Sequence, residues 1–225
     1  MASIARRRVA TVLAWGGAAA IMIVPVAVAA FSPYLASRNT PYIVGGFAGI
    51  ICLSFLFLQP LLPTGYLAGS EGPAGRRWHR RLGVAIAAAV ALHVSGLYLA
   101  SPEDTIDALL LVSPTSFSVY GVTAMWGVVA TVILVLLRRR LGLRHSVWRL
   151  IHNGLAAIVV VATVTHALEI EGAMEPASKW ILCIAVVAAT GVALLDLRLV
   201  RPLRAWRERN LKRGAGRVLP KSGLG

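Results

Sequence analysis

The sequence predicts an all-α fold, an integral membrane bundle of six transmembrane helices, on three observations. Of the 225 residues, 57% are hydrophobic and 14% charged, with a mean hydropathy of +0.73, whereas a soluble domain carries about a quarter charged residues. Six apolar runs have about the 20 residues that a bilayer-crossing helix needs. The basic residues fall between those runs. That placement excludes the continuous basic patch a nucleic-acid surface requires, despite a net charge of +14.

The first run, 9–31, follows Arg6-Arg7-Arg8 and reads as a retained helix. With Ala27-Val28-Ala29 it also resembles a secretory signal, but its apolar stretch exceeds the usual core of roughly 7–15 residues. Cleavage there would leave five helices in the same orientation. The others are 42–63, 82–100, 117–137, 148–168 and 179–196. Their ends are marked by Ser32-Pro33, Pro63-Thr64-Gly65, Ser101-Pro102, Arg138-Arg139-Arg140 and Glu175-Pro176, residues that break helices or prefer water. The short connections leave no room for a soluble domain, and no glycine-rich phosphate loop follows a strand-like run. The expected organisation is an N-terminal helix with its outer loop (1–41), a core (42–196) and a basic cytoplasmic tail (197–225). Cys52 and Cys183 lie singly inside apolar runs and read as small buried side chains.

Orientation follows from the basic residues. With the N-terminus in the cytoplasm, 21 of the 23 Lys and Arg lie inside, and only Arg38 and Lys179 outside. Six of the nine acidic residues, from Glu103 to Glu175, gather in the outer loops. A multi-pass protein of a cell membrane, a bacterial inner membrane, with both termini cytoplasmic is expected. The tail from Arg198 to Lys221 then lies near anionic headgroups, or docks an acidic partner.

Four of the five histidines form a pattern. His79 opens the third helix and His93 lies within it; His152 opens the fifth and His166 lies near its far end, and each pair is 14 residues apart. In a helix, 14 residues bring two side chains to one face about 21 Å apart. The two helices run in the same direction, so His79 matches His152 in depth on the cytoplasmic side and His93 matches His166 on the outer side. Each match can supply two axial imidazoles to one haem iron with no open position, a site that moves electrons. Read otherwise, these histidines are helix–helix hydrogen-bonding or proton-relay groups in a haem-free scaffold or small transporter. Equal spacing on two parallel helices favours haem, since ionisable groups within a bilayer are costly and usually functional. His145, in a basic loop, reads as solvated.

Gly83, Gly96, Gly154 and neighbouring alanines would let a flat macrocycle lie close. Arg76, Arg77, Arg80, Arg81 and Arg149 flank the inner position and suit haem propionates. Trp78, Trp148 and Trp180 read as an interfacial aromatic belt.

His79-Arg80-Arg81-Leu82-Gly83 with His93, and Trp148-Arg149-Leu150-Ile151-His152 with His166, resemble the third- and fifth-helix signatures of the ferric reductase-like transmembrane domain. That superfamily includes ferric-chelate reductases, NADPH oxidases and the haem-binding subunit of bacterial methionine sulfoxide reductase systems. The resemblance covers about 42–196 and implies a six-helix bundle carrying b-type haem that passes electrons across the membrane; the separation of the two histidine pairs suits two haems, one near each side of the hydrocarbon core. Members that work alone carry a cytoplasmic flavin- and nicotinamide-binding portion after the sixth helix, and the stretch beyond Asp196 is too short for one. The expectation is therefore a separate donor, a flavin reductase holding FAD or FMN or else membrane quinol, with a ferric chelate or partner oxidoreductase as outer acceptor.

Overall fold

The computed structural model describes the backbone of residues 2–218, and the side chains of residues 5, 6 and 8–211. In the expected basic tail, Lys221 lies outside the described residues, as do the side chains of Lys212, Arg213 and Arg217; so does that of Arg7 near the N-terminus. Helix α1 (Ala2–Ala30) holds the first apolar stretch, with Pro25 inside it. A 3₁₀ turn (Pro33–Ser37) leads to α2 (Thr40–Leu58), whose first turn is capped by the Asn39 side chain accepting from the Tyr42 N–H at 3.0 Å. Pro60 and Pro63 then remove two backbone donors and end the helix. The short α3 (Leu61–Thr64) and a left-handed Gly65 (φ 75°) turn the chain.

There follow α4 (Gly72–Ala100), α5 (Pro102–Leu109), α6 (Ser116–Leu136), α7 (His145–Glu169) and α8 (Pro176–Leu195), then a π turn (Asp196–Val200) and α9 (Arg201–Val218). Among the described residues there is no strand, and six helical stretches are long and apolar enough to cross a membrane. The fold is the all-α multi-pass bundle that the sequence predicts.

Several helix ends lie outside the apolar runs. The fourth helix begins at Gly72, well before residue 82, because Pro73 suits a first turn and arginine is a good helix former. Hydropathy does not register a helix that continues into charge. His79 therefore sits inside α4 rather than opening it, and His152 sits about two turns inside α7. The short α5, in what reads from hydropathy as a plain loop, is an addition.

Packing proceeds in antiparallel pairs. Along α2 and α4, Gly45 meets the backbone at Gly96, and farther down Gln59 meets His79. Along α6 and α7, Phe117 meets His166 and Gly127 meets Val159. The first helix joins through Ser54 Oγ donating to the Met22 carbonyl (3.1 Å) and Trp15 Nε1 donating to the Ala68 carbonyl (3.0 Å). Leu53, Ile86, Val159, Leu182 and Val186, from α2, α4, α7 and α8, share one buried apolar cluster with Cys52 and Cys183. In lipid, where apolar burial gives helices little net drive to associate, close approach at small residues carries much of the packing.

Helix α8 is capped by Glu175, whose carboxylate accepts from the N–H groups of Ala177 (2.9 Å) and Ser178 (2.8 Å). The Ser178 and Ala177 N–H bonds hold its carboxyl below the ordinary value. A depressed carboxyl contributes stability above its unfolded pKa and loses it as pH falls through the folded one. Glu175→Ala should melt slightly earlier than wild type at neutral pH, with the gap narrowing in acid. Thermal melts in detergent check this, and a gap independent of pH contradicts it.

Candidate functional site

The histidines are placed by the two antiparallel pairs. His79 and His93 project from α4, His152 and His166 from α7. The structure brings His79 to His152, with ring centroids 6.1 Å apart and planes at 77°. It brings His93 to His166, at 6.3 Å and 78°. The two pairs thus have nearly the same geometry at two depths. The α4 and α7 backbones are not closely packed on each other; each is backed by its own partner, α2 or α6.

Backbone carbonyls fix three of the four rings. His79 Nδ1 lies 2.9 Å from the Gln59 carbonyl, His93 Nδ1 2.7 Å from that of Gly45, and His166 Nδ1 2.7 Å from that of Phe117. A carbonyl only accepts, so each Nδ1 donates and each Nε2 keeps its lone pair. The Gln59 carbonyl is available because its helical partner four residues on would be Pro63, which has no N–H. Gln59 also donates through Nε2 to the His79 carbonyl at 3.1 Å. His152 is the exception: its Nδ1 is buried with no hydrogen-bond partner.

Glycines make room for the rings. A Cβ on Gly49 would stand 3.0 Å from His93 Nδ1, and one on Gly121 would stand 2.7 Å from His166 Cε1. Gly45 and Gly96 let α2 and α4 cross so closely that a Cβ on Gly96 would lie 2.7 Å from Gly45 Cα.

Arg80, Arg81 and Arg149 are exposed at the end of the bundle nearer His79 and His152. Arg81 lies over the Trp78 ring at 5.1 Å, and the Arg149 carbonyl accepts from Arg198 at 2.7 Å. His145 is exposed and begins α7 rather than lying in a loop; its Nδ1 is 3.4 Å from the Arg138 guanidinium. Trp78 and Trp180 are exposed, as belt residues are. Trp148 is not: it is half-buried and stacked on His152, at 5.1 Å and 6°.

Sequence reasoning missed Gln59, Gly45, Gly49, Gly121 and this role of Trp148. The Gly45-Gly46 and Gly49 cluster in an apolar run, and a proline four residues after Gln59, were the available signals.

Six apolar helices around two histidine pairs at different depths define a multi-pass membrane protein with a histidine-paired interior. The family model for the ferric reductase like transmembrane component matches residues 45–163, over half of the chain, and the protein belongs to that family. The match includes His79, His93 and His152 and ends just before His166. No curated protein and no solved structure matches the chain. Membership makes the protein a membrane electron-transfer component.

Proposed function

We propose that the protein is a haem b-binding transmembrane electron carrier that takes electrons from a cytoplasmic donor and delivers them to an acceptor outside. The observation that carries this reading is the pair geometry. Two imidazoles sharing one metal each place a nitrogen about 2 Å from it, which separates their centroids by roughly 6 Å. The centroids here are 6.1 and 6.3 Å apart.

Nδ1–carbonyl bonds of the kind that orient metal-bound histidines are present at His79, His93 and His166. Bound there, b-type haem would supply one-electron oxidation and reduction. His79 and His152 would hold the inner group, His93 and His166 the outer. Arg80, Arg81 and Arg149 offer guanidinium groups to propionates at the inner end. The core of 42–196 does this work with its basic end in the cytoplasm of a bacterial inner membrane. The donor is a flavin reductase or quinol, the acceptor a ferric chelate or partner oxidoreductase.

A reduced-minus-oxidised absorption spectrum of the purified protein tests the reading. A b-type signal with two haems per chain is expected. Absence of haem would favour the scaffold or transporter reading, and a ratio of one would reject the two-site version.

A further inference from the structure

His152 lacks what the other three histidines have. An imidazole that holds a metal through one nitrogen needs something on its far side to set the ring plane, and a hydrogen bond from the second nitrogen usually does so. For His152 that nitrogen is buried without a partner. What lies against the ring is Trp148, four residues earlier on the same face of α7, parallel within 6° at 5.1 Å.

Trp148 is itself held by ring faces rather than by a hydrogen bond. The Arg138 guanidinium sits 4.4 Å over it, the His145 ring is nearly parallel at 6.3 Å, and its own Nε1 is buried without a partner. Arg138, Trp148 and His152 therefore link the α6–α7 connection to the inner pair. At the outer pair both rings are held by carbonyls, and the Phe117 ring meets His166 edge-on at 6.0 Å and 60° rather than stacked.

We infer that Trp148 is the positioning residue for His152, holding by stacking the ring orientation that backbone carbonyls hold at the other three histidines. The inference rests on the haem reading above. A stacked indole restrains the ring plane but does not polarise the imidazole as an Nδ1–carbonyl bond does, so the inner pair is the more easily opened of the two.

The test compares full-length wild type, Trp148→Leu and Trp148→Phe by haem content, low-spin electron paramagnetic resonance signals and carbon monoxide binding to the reduced protein. Trp148→Leu keeps apolar bulk but removes the aromatic face. It should weaken retention of one haem roughly 10–100-fold, the range seen when an outer-shell partner is lost, and let that centre bind carbon monoxide. The affected signal should be the one that His152→Ala abolishes, and Trp148→Phe should restore it. A haem-loaded wild type with unchanged Trp148→Leu spectra overturns the inference alone. Loss of both centres together, or no rescue by Phe, also overturns it. A wild type without haem overturns the reading beneath it as well.

Discussion

On the proposed haem reading, His93→Ala should leave one haem rather than two, with the remaining signal that of the His79/His152 pair. The argument begins from the ring geometry. His93 and His166 face each other at 6.3 Å between centroids, each tied by Nδ1 to a carbonyl on a different helix. Removing one imidazole leaves its partner oriented but alone. The cost should exceed the roughly 10–100-fold that loss of an outer-shell partner brings, because a direct ligand has gone. Delivery to an outer acceptor should then fall by at least as much, since the pairs are about 21 Å apart along the helices and nothing replaces the outer step. His166→Ala should behave the same way. His145→Ala is the comparison: the residue is exposed at the start of α7 and its ring meets Trp148 on the inner side, so the outer haem should remain. Haem-to-protein ratios and low-spin signals of the purified variants decide the matter. Two haems retained in His93→Ala, or loss of the outer haem in His145→Ala, would refute the assignment.

Why were the histidines legible when their supports were not? Residues on one helix obey a fixed period, so a spacing of 14 on two runs foretells a shared face and two depths without any knowledge of packing. Hydropathy and basic-residue bias likewise count the spans. The acceptors are another matter. The Gly45 carbonyl reaches His93 only because α2 and α4 cross at Gly45 and Gly96, and that crossing depends on two segments far apart in sequence. The Gln59 carbonyl is free for a local reason, Pro63, yet its finding His79 is again a matter of helix–helix register. Trp148 misled because aromatic residues at helix ends usually sit in the interface, although the run 148–168 already put it four residues before His152 on one face. The early start of α4 was hidden by charge, because Arg76 to Arg81 end an apolar run without ending a helix.

The α2–α4 crossing yields the second large effect. Helix propensity favours Ala over Gly by about 1 kcal/mol, so Gly96→Ala should stabilise α4 unless contact intervenes. A Cβ there would stand 2.7 Å from Gly45 Cα and 2.8 Å from both the Gly45 nitrogen and the Pro41 carbonyl oxygen. All three are backbone atoms, so the helices must part. Overpacking of this kind costs about 1–3 kcal/mol, more than the propensity gain for most of that range. Parting also draws the Gly45 carbonyl from His93 Nδ1, a bond of 2.7 Å. Gly96→Ala should therefore melt earlier and lose the proposed outer haem first, while the Gln59–His79 contact at the other end of the crossing keeps the proposed inner one. Gly46→Ala separates propensity from contact, because a Cβ at Gly46 meets nothing within 4 Å; it should be neutral or stabilising with both haems in place. Equal behaviour of the two variants in melting and haem retention would mean that the Gly45–Gly96 approach does not position His93.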